Sequence, residues 1–487
     1  MIRPGLDEAR ELCAGNTMVP IAMELLADVK TSIEILKSIR QGHRSFYILE
    51  SVESADTWGR YSFIGYDPTM TVSGKCGLIS VEDQNGIRSF PGEPVAVLRE
   101  MLGRRKSPRI PALPPFTGGF VGYFSYDFIK FIEPTLKLKA TNKEGFCDFS
   151  LMLFDKVIAF DHFQQKIYLI VNVATEDFEK NYVDAVTTLK DMEQLILSDK
   201  APEDVRSALR SDFQAAFTKE EYCAMVERAK HYITEGDIFQ VVPSNRFVAD
   251  YQGDLLSAYR VLRTTNPSPY MFYLRFGDIQ LCGASPETLV SVKEGLVSTY
   301  PLAGTCPRGR TAEEDAALIE ELIHNEKELA EHDMLVDLGR NDLGKVCGFG
   351  TVKVEEYRQV RRFSHVCHIA SKVTGRLRGD KTALDAMMAT LPAGTLSGAP
   401  KKRACEIIDE LEGSKRGVYG GAVGYIDFTG NMDLCIGIRM AVLKDGKVYV
   451  QSGGGVVADS VPEKEYRETL NKAGAVMDAL KASREVV

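Results

Sequence analysis

Short strand-like runs that alternate with helical patterns constrain the fold of this chain more than any other feature. Over residues 1–200, β-rich runs such as SFYILESV, RYSFIGY and KIYLIVNV are interrupted by helical patterns, for example at 92–103. Short runs of β-branched and aromatic residues are typical of strands, whereas apolar residues three and four apart are typical of helices. The sequence therefore predicts an α/β fold, of the α+β type, that is dominated by a sheet in this region.

A polar segment at about 198–215 has no strong strand period and is the predicted linker. After it, Thr218 and Glu221 form a capping box that predicts the start of a helix. A longer helix is predicted over about 311–338, and the run MDLCIGIRMAVL is predicted to be a strand. The second part of the chain is therefore also expected to mix helices and strands.

The length and charge of the chain bound its class. Because 487 residues exceed what one ordinary core serves, we expect two large regions, at 1–200 and 216–487. The net charge of −9 comes from interspersed acidic and basic residues, which disfavours nucleic acid as a partner. No apolar run approaches 18 residues and no apolar leader is present, so we expect neither membrane insertion nor export. Ten cysteines without a C-x-x-C pair favour reduced thiols and a cytoplasmic location.

Two Glu-x-x-Glu pairs are the first candidate site. Glu328 with Glu331, and Glu465 with Glu468, lie in helical patterns, and residues three apart share one helical face. If the pairs met, four carboxylates would make a site for a hard cation such as Mg²⁺, which takes oxygen ligands. The alternative is that both pairs are solvated helix faces, because a Glu-rich chain produces this spacing by chance. From the spacing alone, that alternative is favoured.

Two glycine-rich segments are the second candidate site. The loop LPAGTLSGAPK, which contains Thr395, precedes a predicted helix whose N-terminus favours anions. Gly453, Gly454 and Gly455 directly follow a predicted strand, so a ligand can approach the backbone closely. Arg439 lies in an apolar run, where a guanidinium needs an anionic partner. These features indicate a carboxylate or phosphate site, although an ordinary tight turn explains the loop equally well.

Taken together, the motifs between Ser285 and Lys472 resemble those of the chorismate-utilising enzymes. They occur in the order and at the spacing of that family: SPETLV, PLAGTCPRGR, KELAEHDMLVDLGRND, LPAGTLSGAPK, YGGAVGY, CIGIR and QSGGGVVADSVPEKEYRETLNKA. Within the family they are most similar to the anthranilate synthase component I group. The resemblance implies stacked helix and sheet layers around a central cleft. It also implies a regulatory and partner-binding region at 1–200 and a chorismate-binding catalytic domain at 216–487.

The implied reaction converts chorismate and ammonia to anthranilate and pyruvate with Mg²⁺, the first step of tryptophan biosynthesis. The resemblance implies that Glu331 and Glu468 bind the metal, with Glu328 and Glu465 in or just behind its coordination sphere. One substrate carboxylate would meet the metal. The resemblance places the other implied substrate contacts at Gly304, Thr305, Thr395, Tyr419, Arg439, Gly453, Gly454, Gly455 and Lys472.

The resemblance also implies catalytic roles. Glu287 corresponds to the general acid for the departing C4 hydroxyl, and burial near a dianion would raise its pKa. His368 corresponds to the histidine linked to loss of the C2 proton and of pyruvate. Gln240 occupies the position at which relatives that make isochorismate or salicylate carry a water-activating lysine. Ala303 replaces the nucleophilic lysine typical of aminodeoxychorismate synthase component I, which is the alternative function. Both replacements favour anthranilate.

Regulation and assembly are implied as well. YILES, with Ser51, and NPSPYMF, with Pro269, Tyr270 and Met271, resemble the two halves of the family's tryptophan feedback site. Strand packing and a turn would explain the same residues without a ligand. Because the chain has no Gly-x-Cys-x-Gly turn, ammonia would come from a separate glutamine amidotransferase subunit in a hetero-oligomer, expected to be a heterotetramer.

The chain departs from the family at two positions. The family usually has arginine in place of Cys306 and alanine in place of Gly454. Loss of a cation beside the substrate loop would weaken carboxylate binding unless Arg308 and Arg310 supply the charge.

Overall fold

The computed structural model describes residues 2–51, 59–198, 205–362 and 366–485. Its helices and antiparallel strands confirm the predicted α+β fold class. The α-helices of these ranges are α1 (Leu6–Leu12), α2 (Ser32–Gly42), α3 (Pro94–Gly103), α4 (Ile129–Ile132), α5 (Phe178–Leu197), α6 (Lys219–Thr234), α7 (Leu256–Thr265), α8 (Ala312–His324), α9 (Glu326–Gly344), α10 (Ala383–Thr390), α11 (Lys401–Glu412) and α12 (Pro462–Ala482).

The strands are short, as their sequence runs predict. They are β1 (Ile2–Arg3), β2 (Met18–Leu26), β3 (Ser45–Glu50), β4 (Tyr61–Tyr66), β5 (Met70–Lys75), β6 (Leu78–Asp83), β7 (Gly86–Pro91), β8 (Gly119–Phe124), β9 (Phe149–Phe154), β10 (Lys156–Asp161), β11 (Lys166–Ala174), β12 (Ala208–Leu209), β13 (Gln214–Ala215), β14 (Gln240–Val241), β15 (Ser244–Gln252), β16 (Tyr270–Phe276), β17 (Ile279–Ser285), β18 (Thr288–Lys293), β19 (Leu296–Thr299), β20 (Leu302–Pro307), β21 (Lys353–Arg362), β22 (Val366–Arg376), β23 (Gly398–Ala399), β24 (Ala422–Asp427), β25 (Met432–Ile436), β26 (Met440–Lys444) and β27 (Lys447–Gly453).

Two large antiparallel sheets form the centre of the molecule. The first sheet follows the order β1-β2-β11-β10-β4-β3-β16-β17-β26-β27-β15-β12, and β13 also pairs with β15. The second sheet follows the order β20-β22-β19-β18-β25-β24-β8-β9-β5-β6-β7, and β21 also pairs with β22. Both sheets cross the predicted linker, through the pairs β3–β16 and β8–β24. The division into regions 1–200 and 216–487 thus does not separate the sheets, and it stays a prediction about domains.

The sheets pack on each other, and helices cover their outer faces. Between the sheets lies a core that includes Tyr47 and Ile170 from the first sheet and Val121 and Met152 from the second. Helices α2, α5, α7 and α12 pack on the outer face of the first sheet, and α3, α9 and α10 pack with the second. These are the stacked layers that the resemblance implied. Among the described residues, no helix is both long and apolar enough to cross a bilayer.

The predicted helix over 311–338 is divided in two. Asn325 has a non-helical backbone between α8 and α9, and its side chain accepts hydrogen bonds from the backbone N–H groups of Lys327 and Glu328. Asparagine is a strong N-cap residue, so it starts a second helix where the apolar pattern alone suggests one continuous helix. By contrast, the predicted capping box of Thr218 and Glu221 is confirmed at the start of α6.

The predicted single strand MDLCIGIRMAVL is also wrong. It forms β25 in the second sheet and β26 in the first, so the chain crosses between the sheets at residues 437–439. Arg439 has a left-handed backbone, with φ of 51°, which cannot continue a strand. This crossing places the Arg439 side chain in the cleft rather than on a strand face.

Candidate active site

A cavity of about 600 Å³ lies where residues of α9 and α12 face one another. Because α9 packs with the second sheet and α12 with the first, this cavity lies between the two halves of the layered fold. Its lining brings together fifteen of the predicted catalytic, substrate and metal residues: Gln240, Glu287, Gly304, Thr305, Glu328, Glu331, His368, Thr395, Tyr419, Arg439, Gly453, Gly455, Glu465, Glu468 and Lys472. Gly454 is adjacent, since a Cβ atom there would lie 2.8 Å from Glu465 Oε2.

One wall of the cavity is acidic. Glu328 and Glu331 come from α9, and Glu465 and Glu468 come from α12. Burial raises the pKa of Glu331, and the charge of Glu328 raises it further. Burial also raises the pKa of Glu465, with a further contribution from Glu468. These are the signs of carboxylates that lack enough positive charge nearby.

The donor chemistry of this wall fits a hard cation. Among the described residues, no three or more acidic, histidine or cysteine side chains lie close enough together to hold a metal ion alone. A cation here would therefore take one or two carboxylates and complete its shell with substrate oxygens and water, which is the usual arrangement for Mg²⁺. The two glutamate pairs meet across one cavity, but they do not form a closed cage.

Basic side chains lie beside α12. Lys472 Nζ lies 2.5 Å from Glu468 Oε1 and donates to the Gly453 carbonyl at 3.2 Å. Arg439 Nη1 donates to the Lys472 carbonyl at 2.5 Å, which fixes the guanidinium beside the helix. Lys327 of α9 also lines the cavity. The cavity thus has basic side chains directly beside its acidic wall, and it can contact both a cation and an anionic ligand.

Glu287 lies in the turn between β17 and β18. Its Oε1 accepts a hydrogen bond from Thr395 Oγ1 at 3.2 Å. Burial raises the pKa of Glu287 to about 8, and the hydrogen bond from Thr395 and the charge of Lys472 only partly oppose it. The carboxyl is therefore mostly protonated near neutral pH and can act as a general acid.

His368 lies on β22, directly opposite Thr305 of β20. Its Nδ1 lies 3.1 Å from the Gly304 carbonyl and 3.0 Å from Thr305 Oγ1. A carbonyl oxygen can only accept, so Nδ1 carries the proton and Nε2 is the acceptor nitrogen of the neutral ring. Burial lowers the pKa of His368, which favours that neutral form. The ring is therefore prepared to accept a proton.

Gln240 lies in a separate two-stranded sheet, which places its side chain beside the acidic wall. β14 pairs with β23 of the glycine-rich loop, with Gln240 opposite Ala399. The Gln240 Nε2 group lies 3.5 Å from Glu331 Oε1, whereas its Oε1 atom is buried and has no hydrogen-bond partner among the described residues. A Cβ at Gly455 would lie 2.4 Å from that Nε2, so glycine leaves room for the amide.

The glycine-rich loop does not present its basic residues to the cavity. Lys401 Nζ pairs with Asp342 at 2.8 Å, and Arg403 pairs with Asp237 at 3.0 Å. The loop contributes Thr395 to the lining instead. Protein carboxylates thus neutralise Lys401 and Arg403, and the anion cradle at this helix start stays a prediction that rests on the backbone of the loop.

Sequence reasoning missed a buried ion pair behind the cavity. Arg416 and Glu412 are both buried, and the guanidinium also donates to the Leu396 carbonyl at 2.7 Å and the Val242 carbonyl at 2.6 Å. The Arg416 Cζ atom lies 5.6 Å from the ring centroid of Tyr419. The pair therefore holds the Thr395 loop, the segment after Gln240 and Tyr419 together. In sequence it is an ordinary i, i+4 pair, which gave no signal of burial.

The residues that are predicted to bind the ligand tryptophan lie near one another, outside the cavity lining. β3 and β16 pair with Glu50 opposite Met271, so Ser51 and Tyr270 lie at the same end of the two strands. Pro269 directly precedes β16, and the Tyr270 hydroxyl donates to Asp433 Oδ1 at 2.8 Å. Ser51 Oγ is buried and has no partner among the described residues.

The structure also shows the surroundings of Cys306, the cysteine that stands where the family usually has arginine. Cys306 packs with Leu322, Cys367 and Ile369 in a small apolar cluster. Arg308 forms a salt bridge with Asp315 at 2.8 Å. Cys306, Arg308 and Arg310 do not belong to the cavity lining, so neither of these two arginines supplies the missing charge there.

Comparison with known proteins agrees with this geometry. The chorismate binding enzyme family matches residues 51–478. Anthranilate synthase component 1 of Acetivibrio thermocellus is 46% identical over 495 residues, covering all of both chains, and that of Aquifex aeolicus is 43% identical over 99% of this chain and 98% of the relative. The crystal structure of anthranilate synthase component I from Streptococcus pneumoniae is 38% identical, with a TM-score of 0.76 over 93% of this chain and 98% of that one.

This chain belongs to the chorismate binding enzyme family. Within the family, its full-length similarity is to proteins named anthranilate synthase component 1, which confirms the resemblance seen in the motifs.

Proposed function

We propose that this chain is the chorismate-converting component of an anthranilate synthase, which makes anthranilate and pyruvate from chorismate and ammonia. The observation that carries the proposal is one cavity in which the raised pKa of Glu287 keeps a carboxyl protonated while His368 is neutral. Such a pair can give one proton and take another. The full-length relatives named for this activity give the proposal its substrate.

Substrate recognition follows from the charges of the lining. Chorismate carries two carboxylates, and we assign one of them to Arg439, Tyr419 and the backbone at 453–455. Burial raises the pKa of Tyr419 to about 12, so its hydroxyl remains a neutral hydrogen-bond donor. Charge-assisted hydrogen bonds from a guanidinium are the strong contacts available to a carboxylate.

We assign the second substrate carboxylate to Mg²⁺ held by Glu331 and Glu468, with Glu328 and Glu465 in support. When bound, the ion would neutralise both the substrate carboxylate and the repulsion within the acidic wall. The raised pKa values of Glu331 and Glu465 support this assignment, because they mark charge that a cation would relieve.

In the first step, ammonia attacks C2 of chorismate, the ring double bonds shift, and the C4–oxygen bond breaks. Glu287 gives its proton to the departing oxygen, which leaves as water. Gln240 offers its Oε1 atom, which no described residue contacts by a hydrogen bond, as an acceptor for an ammonia N–H. Ammonia is already a nucleophile, so an amide acceptor suffices where attack by water would require a base.

In the second step, His368 Nε2 takes the C2 proton of the aminated intermediate. The electrons of that C–H bond form the aromatic ring as the enolpyruvyl C–O bond breaks, and the group leaves as enolpyruvate, which takes up one proton and becomes pyruvate. The Gly304 carbonyl accepts the Nδ1–H throughout and stabilises the imidazolium that forms.

The product assay tests this proposal. Purified chain with chorismate, Mg²⁺ and ammonium should give fluorescent anthranilate, and glutamine should replace ammonium only when a glutamine amidotransferase subunit is added. An aminodeoxychorismate-derived or isochorismate product would overturn the assignment in favour of another family member. We infer a cytoplasmic hetero-oligomer with that partner.

We further propose that tryptophan inhibits the enzyme at the junction of β3 and β16. The Ser51 Oγ atom, which has no hydrogen-bond partner in the described parts of the chain, and the neighbouring Pro269, Tyr270 and Met271 support a ligand site there. Calorimetry should detect tryptophan binding to the wild type, and Ser51→Phe should abolish both binding and inhibition while leaving uninhibited activity within about twofold. Inhibition that survives this substitution would place the tryptophan site elsewhere.

A further inference from the structure

Two cysteines face each other across the strands that hold the catalytic histidine. Cys306 of β20 lies directly opposite Cys367 of β22, and both side chains pack in one small apolar cluster. Directly opposed residues in antiparallel strands have Cα atoms about 4.5–5.5 Å apart. That separation lies within the roughly 4.4–6.8 Å that disulfides span. The two sulfur atoms can therefore be joined without a change in strand register.

The two thiols differ in access. Cys306 is 7% exposed and Cys367 is 0% exposed. Both pack in the small cluster with Leu322 and Ile369 beneath α8. An oxidant from solvent therefore meets Cys306 first, and Cys367 is the thiol positioned to react with the product.

We propose that Cys306 and Cys367 form a redox modification site, at which a hydroperoxide closes a disulfide that reversibly lowers the activity of the adjacent cavity. The Cys306 thiolate attacks the peroxide O–O bond and becomes a sulfenic acid. The Cys367 thiol then displaces water from that sulfur and forms the S–S bond. Overall the two thiols lose two protons and two electrons, and the peroxide is reduced to two equivalents of water or, for an alkyl peroxide, to water and an alcohol.

The reaction is expected to be slow. Burial raises the pKa of Cys306, with a further contribution from Cys367, so the reactive thiolate is a minor species near neutral pH. Chemical oxidation should therefore need an excess of peroxide, and the pair should stay reduced in its absence.

The effect on activity follows from the register, and it rests on the proposed function. The next pair along the strands is Thr305 opposite His368. Cβ atoms of opposed strand residues lie about 4.5–5.5 Å apart. A disulfide requires about 3.8 Å, so closure draws the strands together by about 1 Å next to His368. Misplacement of a catalytic group by about 1 Å can cost up to about 100-fold in rate, and we expect at least about a tenfold loss of kcat.

Mass spectrometry tests bridge formation independently of activity. The full chain is treated with hydrogen peroxide, alkylated and digested with trypsin. We expect a disulfide-linked peptide joining 294–308 to 363–372, its disappearance after dithiothreitol, and recovery of kcat in the same samples. If no linked peptide forms while the exposed Cys76 is oxidised, the modification site is overturned.

Two single variants assign the roles of the thiols. In Cys367→Ser, oxidation should stop at a Cys306 sulfenic acid that dimedone traps. In Cys306→Ser, neither a linked peptide nor a dimedone adduct at Cys367 should form. The variant Cys76→Ser serves as the matched control, because it removes the exposed thiol and should leave both the bridge and the activity loss intact.

The outcomes separate the inference from the proposed function. A linked peptide in a chain that never makes anthranilate would sustain the modification site and overturn the proposed function. A linked peptide with unchanged kcat would overturn the regulatory effect. Equal inactivation of the wild type and Cys306→Ser would assign the activity loss to another residue.

Discussion

Two buried carboxyl groups of this molecule have opposite surroundings. Glu50, at the end of β3, accepts hydrogen bonds from Ser32 at 2.9 Å and Tyr259 at 2.7 Å, and it pairs with Arg263 at 2.8 Å. Glu287, in the cavity, accepts from Thr395 at 3.2 Å, and burial raises its pKa to about 8. A glutamate side chain thus has a guanidinium and several hydrogen-bond donors around it at Glu50, whereas at Glu287 it has one hydroxyl donor.

The difference separates structural from chemical use of a carboxyl. A buried carboxylate with a guanidinium and hydroxyl donors is stabilised as part of the packing between strands and helices. A buried carboxyl with few donors holds its proton at a pH where water-exposed carboxyls have lost theirs. On this view, removal of the charge should affect folding at Glu50 and chemistry at Glu287.

The largest expected effect is that of Glu287→Gln. Glutamine keeps the size and the hydrogen bond with Thr395 but has no proton to give, so kcat should fall about 10³-fold, the usual range for loss of a general acid. Product formation from chorismate, Mg²⁺ and ammonium measures the change. The exposed Glu294→Gln variant is the control, and retention of more than a third of kcat by Glu287→Gln would contradict the acid role.

The pH profile sharpens the same prediction. The folded pKa of Glu287 is raised to about 8, so its acid form is complete at low pH and is lost as the pH rises through about 8. Wild-type kcat should therefore fall on the alkaline side of pH 8, and the residual activity of Glu287→Gln should not show that fall. Between the ordinary glutamate pKa of 4.5 and about 8, the unfolded chain has released this proton and the folded chain still holds it, so the stability of the fold falls across that window and is constant above it.

A smaller loss is expected for Glu331→Gln in the acidic wall. Removal of one proposed Mg²⁺ ligand should lower kcat/KM by about 100-fold, the upper end for changes around a metal site. Calorimetric titration with Mg²⁺ in the absence of chorismate gives a readout that does not need turnover. Glu326→Gln on the same helix is exposed and is the matched control. Equal Mg²⁺ affinity of Glu331→Gln and the control would remove Glu331 from the metal site.

Glu50→Gln should act on stability instead. This change breaks the ion pair of a buried carboxylate with the partly exposed Arg263, and the free energy of unfolding should fall by about 2 kcal/mol. Denaturant unfolding measures this loss. Activity per folded molecule should stay within about twofold, because Glu50 is not part of the cavity lining. A loss of kcat as large as that of Glu287→Gln would erase the distinction between the two carboxyls.

Sequence patterns predicted local features well where one strong signal dominated. The capping box at Thr218 and Glu221 and the helical faces of the glutamate pairs depend on neighbours in sequence, and both are present in the fold. The break at Asn325 was missed because the continuous apolar pattern obscured the local N-cap signal of the asparagine, and the crossing at Arg439 was missed because a left-handed arginine inside an apolar run has no local signal.

For the cavity, residue types and spacing indicated the glutamate pairs, Arg439 and the glycine-rich segments as separate candidates, and only the resemblance joined them in one site. No local pattern places α9 and α12 on opposite sides of one cleft, because each helix packs on a different sheet. The buried pair Arg416–Glu412 was missed for a similar reason. Its spacing is that of any surface ion pair, and its burial depends on segments near residues 242 and 396 that are distant in sequence.

The smallest expected effect comes from the backbone beside the acidic wall. Gly454→Ala introduces the usual family residue, and its Cβ would lie 2.8 Å from Glu465 Oε2, the end of a flexible side chain that can rotate away. Gly455→Ala would bring a Cβ to 2.4 Å from Gln240 Nε2, and Gln240 is 3% exposed, so its amide has little room to move.

We therefore expect Gly454→Ala to change Mg²⁺ affinity and kcat by at most about fivefold, or about 1 kcal/mol, and Gly455→Ala to cost clearly more. Calorimetry with Mg²⁺ and the anthranilate assay measure both variants. The reverse order would mean that Glu465, rather than Gln240, is the rigidly held member of the site, and that the acidic wall tolerates less change than its raised pKa values imply.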